Sequence, residues 1–112
     1  MKEGRVNRLN SLFREKIGHI LLTEFNFDQG TIVSVTDVDT APDLSQSRVS
    51  ISVYAEDKER ADVAFENLVK GVKHIRYLLA SEVEIRKIPK LYLVRDDSME
   101  VSDRITRLID SL

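Results

Sequence analysis

Along this chain, apolar residues spaced three and four apart give way to residues that alternate, and then the helical spacing returns. That change of period narrows the fold more than any other feature. A stripe with a period of 3.6 buries one side of a helix, and an alternation buries one face of a strand. Val6, Leu9, Phe13, Ile17, Ile20, Leu21 and Phe25 predict an amphipathic helix from residue 5 to about Glu24. Gly18 interrupts it at a cost of about 1 kcal/mol relative to Ala, so close packing is expected there. Asn26 to Gly30 reads as a turn. From Thr31 to Thr40 β-branched residues dominate, and Val33, Val35, Asp37 and Asp39 alternate with Ile32, Ser34, Thr36 and Val38. The valine-rich face changes sides midway, which predicts a strand with a bulge.

Ala41-Pro42-Asp43-Leu44-Ser45 is turn material. A second strand follows from Arg48 to Ala55, with Val49, Ile51 and Val53 on one face, and the two strands are expected to pair antiparallel. Asp57 is placed to cap a helix whose stripe runs through Ala61, Ala64, Phe65, Leu68, Val72, Ile75, Leu78 and Leu79. Gly71 inside that stripe marks a kink. Glu82 to Val94 reads as strand, with Pro89 at an edge, an end or a bulge because it cannot donate to a ladder. Asp97-Ser98-Met99-Glu100 has the form of a capping box before a last amphipathic helix carrying Val101, Ile105, Leu108 and Leu112. The expected order is α-β-β-α-β-α, an α+β fold.

With 112 residues, 42% of them apolar and 32% charged, the chain is expected to form a single domain spanning 1–112. The absence of cysteine excludes disulfides, thiolate zinc sites, iron–sulfur clusters and cysteine nucleophiles. No unbroken apolar run is longer than Leu91–Val94, and Met1 to Arg5 lacks an apolar signal core, so a cytoplasmic protein without a membrane partner is expected.

Catalytic signatures are weak. His19 and His74 belong to no His-x-x-x-His pair and to no Glu-x-x-His metal spacing. No Gly-x-Ser-x-Gly elbow is present, and the four glycines are isolated, so there is no phosphate loop. Asp37, Asp39 and Asp43 flank the first turn, while Asp96 and Asp97 end the last strand. Turn chemistry and helix capping account for such carboxylates more simply than metal binding does. Neither an enzyme nor a cofactor is expected.

Charge segregation is more informative. The net charge of −2 is assembled from +3 over residues 1–20, −7 over 21–66, +5 over 67–95 and −3 over 96–112. The two basic segments are expected to merge into one face, and such a face suits phosphates. Arg5, Arg8, Lys70, Lys73, Arg76, Arg86, Lys87 and Lys90 are the expected RNA contacts, and Tyr77 and Tyr92 stand among them as possible stacking platforms for unpaired bases. Arg76 has a second reading, as a brace between helix and sheet. No Gly-x-x-Gly clamp occurs, and Lys70-Gly71 is the only fragment of an RNA-recognition-motif signature.

Several short stretches, in order, resemble the ribosome-binding factor A family. They are Arg5-Val-Asn-Arg8, Val35-Thr-Asp-Val38, Ala41-Pro-Asp-Leu44, Val49-Ser-Ile-Ser-Val53, Ile75-Arg76 with Leu78-Leu79, Ile85-Arg86 with Pro89 and Leu91, and Asp96-Asp-Ser98. The resemblance covers nearly the whole length. It implies a type II KH-like domain with helices packed on a three-stranded mixed sheet and a helix–kink–helix in place of the Gly-x-x-Gly loop. The family usually carries Ala-x-Gly at the kink. Here Gly71-Val72-Lys73 aligns with it, so either the kink shifts by two residues or the helix runs straighter. The implied role is non-catalytic: binding 16S rRNA on the free or immature 30S subunit, late maturation and rRNA processing, growth in the cold, and release coupled to an assembly GTPase. A monomer is expected. By motif, the family supports Arg5, Arg8, Arg76 and Arg86 among the contacts.

Two other functions fit parts of the sequence. An interaction module would dock a basic partner on Asp37, Asp39, Asp43, Glu56, Asp57 and Glu59. A metal-dependent hydrolase would use Asp96 and Asp97.

Overall fold

The computed structural model describes residues 2–96, in which α1 (Lys2–Glu24), β1 (Ile32–Thr40), β2 (Gln46–Tyr54), α2 (Lys58–Lys70), α3 (Val72–Glu82) and β3 (Lys90–Arg95) follow one another. The predicted last helix lies outside the described residues. The strands lie in the order β1-β2-β3, with β1 antiparallel and β3 parallel to β2. All three helices pack on one face of this mixed sheet. That face supplies Val33, Val35, Val38, Val49, Ile51, Val53 and Leu91 to a buried cluster. Against them lie Phe13, Ile17, Ile20 and Leu21 of α1, Ala61, Ala64 and Leu68 of α2, and Ile75 and Leu79 of α3. Each set has the spacing of its own element, so burying apolar area fixes which face turns inward.

The expected bulge is present. Val35 pairs with Ile51, but Asp37 pairs with Ser50, so Thr36 is the extra residue. The slip carries Val38 inward and turns Asp37 and Asp39 outward; unbroken alternation would bury two carboxylates. The Thr36 hydroxyl donates to Asp96 Oδ2 at 2.6 Å, which ties the bulge to the end of β3. At the other end of the β1–β2 pair, the buried Thr40 and Ser47 hydroxyls bond each other at 2.7 Å, and the Thr40 N–H donates to Asn10 Oδ1 at 3.0 Å. These bonds join α1 to the sheet just below the turn.

Three expectations need correction or sharpening. First, residues 82–89 are not strand. α3 continues to Glu82, and Val83 closes it with an extended backbone and an N–H that donates to Leu79 O. Val83, Ile88 and Pro89 are buried within the α3–β3 loop, so their apolar area is satisfied without a ladder. Pro89 immediately precedes β3, at an end as its missing N–H requires.

Second, the α2–α3 break falls at Gly71, whose N–H donates to both Asn67 O and Leu68 O at 3.1 Å. The Phe25 ring crosses so close that a Cβ on Gly71 would lie 2.9 Å from Phe25 Cε1. The glycine therefore answers a close approach. Third, a Cβ on Gly18 would meet nothing within 4 Å, so close packing does not explain that glycine. Asp57 caps α2 as expected, with its Oδ1 accepting the Arg60 N–H at 2.8 Å.

Candidate nucleic-acid interface

The start of α1, the β1–β2 turn and the α3–β3 loop meet at one end of the molecule. The turn is built by Asp43, whose Oδ1 accepts from the Ser45 N–H at 3.1 Å and the Ser45 hydroxyl at 2.7 Å. These bonds, and more weakly the positive charge of Lys87, hold the Asp43 carboxyl below its ordinary value of 3.8. The Leu44 N–H donates to Ala41 O at 2.8 Å, and Leu44 adopts a φ of +62°, uncommon for a leucine. That conformation presents Leu44 to a crevice of about 340 Å³ with Val6, Leu9, Leu12, Pro42 and Ile85 on its walls and Arg5 and Arg8 beside them. Arg86 and Lys87 follow Ile85 directly and are exposed. The Lys90 N–H donates to Ser45 O at 3.1 Å, so β3 begins against the same turn. Five of the expected contact residues, Arg5, Arg8, Arg86, Lys87 and Lys90, therefore gather around residues 41–45.

The two basic segments merge only in part, because Lys70 and Lys73 stand apart from these. They flank the break at Gly71, which packs against Phe25 just beyond the end of α1. From Lys73 to Glu82 the helix advances about 14 Å, so the two basic groups occupy opposite ends of α3. Tyr77 is one turn from Lys73 and 71% exposed, so it can extend that second group.

Arg76 has work inside the protein. Its Nη2 donates to Ile88 O at 2.7 Å and its Nε to Pro89 O at 3.2 Å. The bracing role foreseen for it is therefore present, with backbone carbonyls as partners in place of an acid. Arg95, which adds to the basic count of its segment, is paired with Asp62 of α2.

The acidic residues do not form one surface. Asp39 and Asp43 lie near the β1–β2 turn, whereas Glu56, Asp57 and Glu59 lie past the far end of β2, a nine-residue strand about 27 Å long. Glu56 and Asp57 are also engaged by Arg60, at 2.7 and 3.6 Å. Asp96 bonds Thr36, and Asp97 lies outside the described residues. Among the described residues no group of three or more His, Asp or Glu could hold a metal ion, and no helix is long and apolar enough to cross a membrane.

Charge alone does not find the apolar floor of the crevice. Its signal in the sequence is the Pro42-Asp43-Leu44 turn, whose Leu is too apolar for an exposed tip. Three of the stretches that carry the family resemblance, at Arg5–Arg8, Ala41–Leu44 and Ile85–Pro89, converge here.

Comparisons with known proteins bear on the family and the fold. The model of a family described as ribosome-binding factor A matches residues 5–109. A ribosome-binding factor A from Halothermothrix orenii is 36% identical over 109 residues, 97% of this chain and 88% of that one. One from Carboxydothermus hydrogenoformans is 39% identical over 107 residues, 94% of this chain and 83% of that one. Among solved structures, ribosome-binding factor A from Thermus thermophilus shares the fold with a TM-score of 0.66 at 18% identity, covering 80% of this chain and 93% of that one. A homology model of the Thermus thermophilus protein, fitted into a cryo-EM map of a 30S complex, superposes with a TM-score of 0.67 at 16% identity, covering 79% of this chain and 91% of that one.

Proposed function

Because the chain belongs to the ribosome-binding factor A family, we propose that it binds 16S rRNA on the free or immature 30S subunit and assists late maturation. The observation that carries this proposal is the gathering of Arg5, Arg8, Arg86, Lys87 and Lys90 around one turn. Guanidinium and ammonium groups there would neutralise phosphates and release their counterions. Lys70 and Lys73 would take a second stretch of backbone about 14 Å along α3. Nucleic acid carries a charge every few ångströms along its axis, so one rRNA element can span both groups. Recognition would rest on shape and phosphate placement. Arg76 would hold the loop that displays Arg86 and Lys87, and so act indirectly.

The role is that of a non-catalytic, monomeric, cytoplasmic domain spanning residues 1–112 and folded in the KH-like manner. rRNA processing, growth in the cold and release by an assembly GTPase belong to the same proposal as consequences of binding an immature subunit. The acidic residues on other surfaces would limit indiscriminate RNA binding.

The test is co-sedimentation with small subunits across a salt series. Binding is expected to fall steeply and linearly in log–log form. Reversing Lys70, Lys73 and Lys87 together to Glu should abolish co-sedimentation while leaving the circular dichroism spectrum unchanged. Undiminished binding by that variant would sink the proposal.

A further inference from the structure

The face of the sheet turned away from the helices carries a recess that phosphate binding leaves unused. Three residues in register form one rung across it. Asp39 of β1 lies opposite Arg48 of β2, and Arg48 lies opposite Tyr92 of β3. The bulge at Thr36 is what turns Asp39 to this face. Arg48 Nη2 donates to Asp39 Oδ2 at 3.3 Å, and both side chains are exposed. Tyr92 is 45% exposed, with Lys90 Nζ 5.4 Å from its ring centroid. Gln46, Pro42 and Val94 are also on the walls of a space of about 450 Å³. Pro42 also walls the crevice beside Arg5 and Arg8. A strand held by those arginines can therefore round the turn and reach this recess.

The chemistry is that of a seat for one nucleobase. An aromatic face stacks with any base. The Asp39 carboxylate only accepts, and its two oxygens match the adjacent N1–H and N2–H donors of guanine. The Arg48 N–H groups left over by its bond to Asp39 can donate to O6 and N7 of the same base. Adenine and cytosine would set a ring-nitrogen acceptor against the carboxylate, and uracil offers it a single donor. On this face Asp37 and Asp39 offset Arg48 and Lys90, so it has no excess of positive charge to draw the backbone inward, and the base points inward instead. We infer that this recess takes one unpaired guanine of the RNA strand whose phosphates lie on Arg5, Arg8 and Lys87. The inference rests on the rRNA-binding proposal and names a base that the proposal leaves open.

The test is a fluorescence-anisotropy titration of the full chain with labelled uridine-rich oligoribonucleotides carrying one central guanine, inosine, adenine, cytosine or uracil. Guanine should bind about tenfold more tightly than adenine. Inosine, which lacks the N2 donors, should fall between them. Asp39→Asn should bring guanine and adenine to within about twofold, and Tyr92→Leu should weaken all five oligomers. Equal, salt-sensitive affinities for all five would overturn the guanine seat and leave the rRNA proposal standing. Failure to bind any of them overturns the seat as well, and co-sedimentation with the small subunit then decides the rRNA proposal separately.

Discussion

Replacing Arg76 with methionine removes the guanidinium but keeps an unbranched apolar stem. The structure assigns two hydrogen bonds to the lost group, 2.7 Å to Ile88 O and 3.2 Å to Pro89 O. A hydrogen bond from a charged donor contributes about 1.5–3 kcal/mol, and an orphaned buried acceptor costs about 1–3 kcal/mol. Ile88 is 7% exposed, which keeps water from taking over fully. The Arg76 stem is exposed and its second bond is long, so the two bonds do not each reach the upper figure. The expected loss is about 2–3 kcal/mol. For a domain of this size that lowers the melting temperature by about 10–20 °C, measured by circular dichroism. Arg76→Lys, which offers a point charge in place of a planar fork, should fall between the two proteins. The Lys90 amide, bonded to Ser45 O, should exchange faster in Arg76→Met because the carbonyls that set the start of β3 are no longer held. A melting temperature within about 2 °C of the parent would refute the brace and return Arg76 to the surface as a phosphate contact.

Other outcomes follow from single features. Gly18→Ala should raise stability by up to about 1 kcal/mol in urea denaturation, since helix propensity improves and the added Cβ meets nothing within 4 Å. Leu68→Ala should cost about 2–5 kcal/mol, because Leu68 is fully buried between α2 and the sheet. The Asp43 carboxyl should titrate below 3.8 by NMR and return toward it in Ser45→Ala. Its folded value is depressed, so the stability it contributes is present above 3.8 and is lost as the pH falls from there through the depressed value.

Most of the architecture is legible in the sequence because burial leaves a period behind. The stripe of Phe13, Ile17, Ile20 and Leu21 and the change of face between Val35 and Val38 are direct records of which side of an element is covered. The span 82–89 is not legible in the same way. Val83, Ile85 and Ile88 alternate loosely enough to pass for a strand, but tertiary packing buries Val83 and Ile88 in a loop that no ladder pairs. Gly71 and Gly18 look alike in sequence, yet Gly71 stands at a helix break under the Phe25 ring and Gly18 stands within an unbroken helix facing open space.

The candidate site is legible as charge and not as geometry. The sequence yields the basic residues, but not that Arg76 faces two carbonyls or that Arg95 faces Asp62. Nor does it reveal that Lys70 and Lys73 sit one helix length from the other five. These are long-range contacts, and a single sequence holds no record of which partner a long side chain will find.

The most direct measurement is site-specific photo-crosslinking to small subunits, with a photoreactive residue placed in turn at Arg8, at Lys87 and at Glu66, an exposed acidic position on α2. Crosslinked nucleotides would be read by primer extension on 16S rRNA. rRNA crosslinks are expected from Arg8 and Lys87, falling within one neighbourhood of the folded rRNA, and none from Glu66. Crosslinks from Glu66 alone, or rRNA crosslinks absent at both basic positions, would contradict the rRNA-binding proposal.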